Sequence, residues 1–219
     1  MKKLIKALTF SLTILSSILS FCQAKNENQR YIFFFHNKFV QENPLNAAHP
    51  EYGKAEYNEI LESFRKDNFI VFSEKRKKNT NSAEYAEKIV KQVKALIKKG
   101  VPPNHITVIG TSQGGYIAQY VSTYLANPDV NFVFIGCFRD SDIQEIPDIN
   151  FCGNILTIYE KSDIYGVSAV KRKETSKLQV NHFKEIELNT NLKHGFLFKA
   201  LDEWIVPSKK WANGNYNLN

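Results

Sequence analysis

The chain has 219 residues, enough for one domain with a substantial core. Apolar residues make up 43% and aromatics 13%, a globular composition rather than a disordered one. The formal charge is +7, but Lys2, Lys3 and Lys6 lie within the first 24 residues; beyond them 26 basic and 22 acidic residues remain, and a charge of +4 is too small and too scattered to argue for nucleic acid.

Residues 1–24 read as an export signal. Lys2, Lys3 and Lys6 form a positive region without acids, and Ala7 to Phe21 is an apolar and hydroxyl stretch. That stretch is shorter than the about 20 residues a membrane-spanning helix needs. Cys22 and Ala24 are small residues at minus three and minus one, which places cleavage after Ala24 and the mature protein in the periplasm or outside the cell. Lipid anchoring through Cys22 is the alternative, but the bulky Phe21 precedes it.

Residues 25–219 read as a single domain. Tyr31 to Phe35 is a continuous apolar run that predicts a central strand, ending in His36-Asn37. Residues 38–52, with Pro44 and Pro50, predict a long loop, and Tyr57, Ile60, Leu61 and Phe64 have helical spacing. Phe69 to Phe72 predicts a second strand, followed by a basic loop over Ser73 to Asn81 in which Arg76 reads as a surface or loop-anchoring charge. Asn81 is a candidate N-cap with Glu84 three residues on; Ile89, Val90, Val93 and Ile97 give that helix its apolar face, and Gly100 with Pro102-Pro103 ends it. Further strands are expected over Phe132–Phe138, Ile155–Tyr159 and within Phe183–Leu188, with a basic helix or loop around residues 166–179. A final helix is expected after His194-Gly195, carrying Phe196, Phe198, Leu201 and Trp204. Buried strands alternating with amphipathic helices mean a mostly parallel sheet covered on both faces. Cys137 ends one strand and Cys152 precedes the next, so they fall at opposite ends of a parallel sheet, beyond the roughly 4.4–6.8 Å between Cα atoms that a bridge needs.

Between these lies Ile106-Thr107-Val108-Ile109-Gly110-Thr111-Ser112-Gln113-Gly114-Gly115-Tyr116. Four β-favouring residues run into Gly-x-Ser-x-Gly and then into a helical pattern, the order a nucleophile elbow requires. Side chains at positions 110 and 114 would collide with backbone in so tight a turn, which explains the two glycines. Ser112 is thereby lifted to the top of the sheet with the Gln113 amide aimed at a developing oxyanion.

Together with Tyr159-Glu160-Lys161-Ser162-Asp163 after a later strand and His194-Gly195 after the last one, this stretch resembles the α/β-hydrolase superfamily over nearly all of the mature chain. The resemblance implies a serine hydrolase without a large cap domain. Its catalytic residues would be Ser112, His194 and Asp163, and its oxyanion donors the amide of Gln113 and that of Asn37 or Lys38. The family's usual His-Gly pair is His36-Asn37 here, so the choice between the last two stays open. The substrate implied is a small or polymer-linked acyl compound; no metal, cofactor, nucleic acid or membrane span is expected. A catalytically silent scaffold used for binding is the alternative, and a peptidase would use the same three residues. Asp140 and Asp142 compete with Asp163 for the acid, but they sit beside Arg139 in what reads as a solvated loop. His36 reads as structural, and His49, His105 and His182 have no catalytic context. Tyr52 and Tyr57 read as packing residues that could also line the pocket, and the lining itself is expected from loops 38–52, 73–81, 139–152 and 164–180.

Overall fold

The computed structural model describes residues 28–218; the leader, its cleavage point and Cys22 lie outside the described residues. The elements are β1 (Tyr31–Phe35), α1 (Lys38–Glu42), β2 (Ala48–His49), β3 (Gly53–Lys54), α2 (Tyr57–Arg65), β4 (Ile70–Phe72), α3 (Ser82–Lys98), β5 (Ile106–Thr111), α4 (Gln113–Leu125), β6 (Asn131–Ile135), α5 (Asp142–Glu145), β7 (Gly153–Glu160), α6 (Val170–Thr175), β8 (Val180–Leu188) and α7 (Asp202–Ala212). Six strands form one parallel sheet in the order β4-β1-β5-β6-β7-β8, and β2 pairs with β3 in a separate small hairpin.

The unbroken apolar runs follow from this layering. Ile32 and Phe34 of β1 pack with Phe64 of α2 and Trp204 and Trp211 of α7. Phe33 and Phe35, pointing the other way, join Ile89 and Val93 of α3 and Ile117 and Val121 of α4. A strand with helices on both faces has no solvent side on which to place polar residues. Only the edges differ: Ile70 and Phe72 of β4 are exposed, and most of β8 is at least partly exposed. The α3 N-cap forms as expected, with Asn81 Oδ1 accepting from the amides of Ala83 and Glu84 at 2.9 and 3.1 Å.

Parallel register gathers the strand exits along one edge. Phe35 lies beside Gly110, Thr111 beside Ile135, and Ile135 beside Ile158. The chain therefore leaves β1, β5, β6 and β7 on the same side, where open α/β sheets bind ligands.

Four expectations need correction. The segment over 38–52 is no plain loop, because it holds α1 and β2 with the turn that leads into β3. The strand expected to reach Phe138 ends at Ile135: Gly136 has a φ of 56° and its amide donates to the Ile158 carbonyl at 2.8 Å, turning the chain out of the sheet. The single helix expected after His194 is split into a 3₁₀ turn, Lys193–Phe198, and α7. The Phe198 carbonyl accepts from the Glu56 amide at 2.7 Å instead of from the next helical turn. Lastly, of the two readings of Arg76 the surface one fails, because the residue is buried, and the loop-anchoring one holds. Cys137 and Cys152 are free and buried, as their strand placement predicts. Among the described residues no helix is long and apolar enough to cross a membrane.

Candidate active site

The elbow forms for steric reasons. Ser112 sits between β5 and α4 with φ 49° and ψ −119°, a backbone region that side chains seldom occupy. A Cβ on Gly110 would lie 2.2 Å from the Gly114 carbonyl oxygen, and one on Gly114 would lie 2.1 Å from that of Phe35. No larger residue fits either position without moving backbone. Gln113 opens α4, so its N–H has no acceptor within the helix and remains free beside Ser112. The Gln113 side chain reaches away, donating to Ser82 Oγ at 2.8 Å.

The other two residues arrive on loops. Ser112 Oγ lies 2.9 Å from His194 Nε2, and His194 Nδ1 lies 2.6 Å from Asp163 Oδ2. The Asp163 carboxylate is fully buried and its second oxygen accepts from the Tyr165 amide at 2.8 Å. That bond is the Asx turn its neighbours suggest. The competing acids are elsewhere. Asp140 is exposed and pairs with Lys171 at 3.6 Å. Asp142 is not solvated as expected: it is buried, accepting from the Tyr116 hydroxyl at 2.7 Å and the Arg139 amide at 2.9 Å.

A carboxylate to which the sequence reading gave no role ties these two loops together. Glu160 is completely buried at the end of β7. Its Oε1 accepts from the amide and hydroxyl of Ser162 at 3.2 and 3.0 Å, beside the acid. Its Oε2 accepts from the amide and hydroxyl of Thr190 at 2.8 and 2.7 Å, in the histidine loop. Ser162 Oγ in turn accepts from the Lys193 amide at 3.1 Å, directly before His194. Burial alone would raise the Glu160 pKa, but the bonds from Thr190 and Ser162 outweigh it and hold the group below the usual carboxylate range.

The β1 exit is held by a second buried group. Arg76 donates through Nη2 to the His36 carbonyl and through Nε to Gln41 Oε1 at 3.0 Å, while its amide donates to His36 Nε2 at 3.1 Å. Burial lowers the Arg76 pKa to about 10, which leaves it charged at neutral pH. His36 is pushed down to about 3, by burial first and the Arg76 charge second, so it is neutral and structural. Asn37 caps α1 by accepting from the Val40 amide at 3.0 Å. Lys38 is the first residue of α1, so its N–H is free of intrahelical bonds, and both Asn37 and Lys38 line the pocket.

That pocket, about 460 Å³, adjoins Ser112 and His194. Its lining includes Phe39, His49, Glu51 and Tyr52 from segment 38–52, Arg139 after β6 and Tyr165 after the acid. Loop 73–81 does not line it; through Arg76 it props the residues that do. His49, without evident context in the sequence, is part of the wall, whereas Tyr57 is buried against Ser73. The sequence placed Tyr116 and Phe198 on helices and gave neither a role in the pocket. The β6–β7 connection contains only the four-residue α5, so no cap domain is inserted there. Among the described residues no three His, Cys, Asp or Glu side chains are grouped to hold a metal.

No family model and no curated protein sequence matches this chain. Solved structures do. An esterase/lipase from an uncultured bacterium is 11% identical over 88% of this chain and 79% of its own, with a TM-score of 0.58. SOBER1 from Arabidopsis thaliana is 14% identical over 85% and 99%, with a TM-score of 0.53. A sugar hydrolase from Lactococcus lactis is 12% identical over 85% and 90%, with a TM-score of 0.54. This chain has the α/β-hydrolase fold.

Proposed function

We propose that this protein is a serine hydrolase of the esterase type, cleaving an ester or related acyl bond through an acyl-Ser112 intermediate. The observation that carries this reading is the continuous relay Ser112 Oγ, His194, Asp163, with steps of 2.9 and 2.6 Å. A serine hydroxyl needs a base within that reach to act as a nucleophile at neutral pH. In the reaction, Ser112 Oγ bonds to the acyl carbon while its proton passes to His194 Nε2. The carbon–oxygen bond to the alcohol then breaks, and His194 returns the proton to the departing oxygen. Water, deprotonated by His194, releases the acid in the second half. Asp163 keeps the imidazole in the tautomer whose Nδ1–H points at the carboxylate and stabilises the imidazolium. The amides of Gln113 and, on its free helix-start position, Lys38 are the oxyanion donors in this reading.

The test is covalent labelling with a fluorophosphonate. Mass added at Ser112, absent in Ser112→Ala, is the expected result; an unlabelled Ser112 in folded protein would favour the silent binding scaffold. Peptide and ester substrates of matched side chain separate esterase from peptidase. The leader supports a second reading, that the chain is exported and cut after Ala24. Sequencing the mature protein should then begin at Lys25, whereas a diacylglyceryl group on Cys22 would mean an anchored lipoprotein.

A further inference from the structure

The lining of the pocket is of two kinds. One part is made of rings: Phe39 from α1, His49 and Tyr52 from the β2–β3 hairpin, and Phe198 at the end of the histidine turn. Phe198 is their centre, with ring centroids 5.3 Å from Phe39, 5.4 Å from Tyr52 and 5.6 Å from His49. His49 stacks on Tyr52 at 4.5 Å with 9° between the planes, and Phe39 meets His49 nearly edge-on at 5.5 Å. Phe198 is buried, but the other three rings are only partly so, and their uncovered surface belongs to the pocket. His49 Nδ1 accepts from the amides of Glu51 and Tyr52 at 3.2 and 3.3 Å, which holds the ring in its orientation. The remaining lining holds two further rings, Tyr116 and Tyr165, and polar or charged groups, chiefly Lys38 and Arg139.

The hairpin that carries two of these rings is no part of the main sheet. Its turn is tied to the histidine loop by Lys193 Nζ and Glu51, 2.9 Å apart. The ring-bearing hairpin is thus linked to the loop that carries His194. A ring surface discriminates by shape and by quadrupole: a flat aromatic guest gains edge and offset-stacking contacts that a saturated ring of the same carbon count does not. A quaternary ammonium also suits a cluster of rings. Here, however, Lys38 and Arg139 line the same pocket, and its carboxylate, Glu51, is engaged by Lys193.

Building on the serine-hydrolase reading, we infer that the natural substrate carries an uncharged aryl group next to the scissile acyl bond, seated on Phe39, His49, Tyr52 and Phe198. The test compares kcat/KM for matched pairs. Methyl benzoate against methyl cyclohexanecarboxylate probes an aryl group on the acyl side, and benzyl acetate against cyclohexylmethyl acetate probes it on the alcohol side. One pair should favour the aryl member by about 3- to 10-fold for each ring contact made. Phe39→Leu and Tyr52→Leu, which keep bulk but remove the ring, should each drive that ratio toward unity. Equal rates within both pairs, a ratio untouched in both variants, or better turnover of choline esters than of either aryl ester would overturn the inference. Fluorophosphonate labelling run alongside separates the two levels. A reactive Ser112 without aryl preference overturns the substrate assignment alone, whereas an unreactive Ser112 overturns the hydrolase reading beneath it.

Discussion

Ser112 and His194 meet in one hydrogen bond but are brought there by opposite means. The serine is placed by backbone: β5 delivers it, and two glycines let strand, turn and helix approach within distances no Cβ tolerates. What fixes it lies within a few residues of sequence and on the two adjoining strands, β1 through the glycine contacts and β6 through the Ile135 carbonyl, which accepts from the Ser112 amide at 2.9 Å. The histidine is placed by side chains. Glu160, Ser162, Thr190 and Lys193 link two loops through hydrogen bonds that span up to 31 residues of sequence. The β1 exit resembles the histidine side, since Arg76 holds it from 40 residues away. A site placed by packing fails abruptly when volume is added. One placed by a polar network fails by degrees, as its bonds are removed one at a time.

Substitutions can break this contrast in order of severity. Ser112→Ala should abolish turnover while leaving the melting temperature near that of the parent, since the strained backbone is kept; residual kcat on any true substrate is the measurement, and appreciable activity would sink the elbow assignment. Gly114→Ala should be equally inactive but also unstable, because its Cβ would fall 2.1 Å from the Phe35 oxygen. A stable, active Gly114→Ala would show that the backbone yields more than its geometry allows. Next comes Asp163→Asn, which leaves the shape but loses the tautomer, with kcat reduced by about 10⁴-fold. Glu160→Gln is the graded case. Its amide NH₂ would face donors from Ser162 or Thr190, shifting the acid and base loops by a fraction of an ångström. We expect kcat to fall by about 10²-fold with KM much less affected. An unchanged kcat would mean that the loops hold themselves.

Weaker still is the effect of His36, read in stability rather than rate. Its folded pKa of about 3 lies below the unfolded value of 6.5, so the unfolded chain binds the extra proton between those limits. The stability is present above about pH 6.5 and is lost as pH falls, by up to about 1.4 kcal/mol per pH unit. Denaturant melts of His36→Asn between pH 4 and 6 should show a slope shallower by about that amount. An unaltered slope would show that His36 is not the group responsible. The smallest effect belongs to Asp140→Asn, whose exposed pairing with Lys171 at 3.6 Å predicts a change in kcat of less than about threefold.

The same contrast decides what could be read from the sequence. The elbow was legible because its causes are local: a β run, two glycines at fixed spacing and a helical pattern. The α3 cap at Asn81 was legible for the same reason, and so were the acid turn at Asp163 and the His194-Gly195 pair, each just past a strand end. Arg76 was not. It stands among Glu74, Lys75, Lys77 and Lys78, and nothing in such a run tells which cation turns inward, because the carbonyl it meets belongs to His36. Glu160 looked like the polar end of a strand, and its four donors come from two loops whose meeting is a tertiary event. Likewise the hairpin over 48–54 has too few residues for a periodic signal, and its role is visible only when His49 and Tyr52 are seen against Phe198.

The spacing of Ser112 and His194, 82 residues, also has a consequence in time. Synthesis at about 5–20 residues per second puts roughly 4–16 s between the appearance of Ser112 and that of His194. During that interval β1 and β5 can already pair and shape the elbow, but the serine has no acceptor for its proton. Glu160 waits similarly, for Thr190. A chain interrupted anywhere before residue 190 therefore carries a formed turn without its His194 partner, and in the serine-hydrolase reading about the last seventh of the polypeptide acts as its switch.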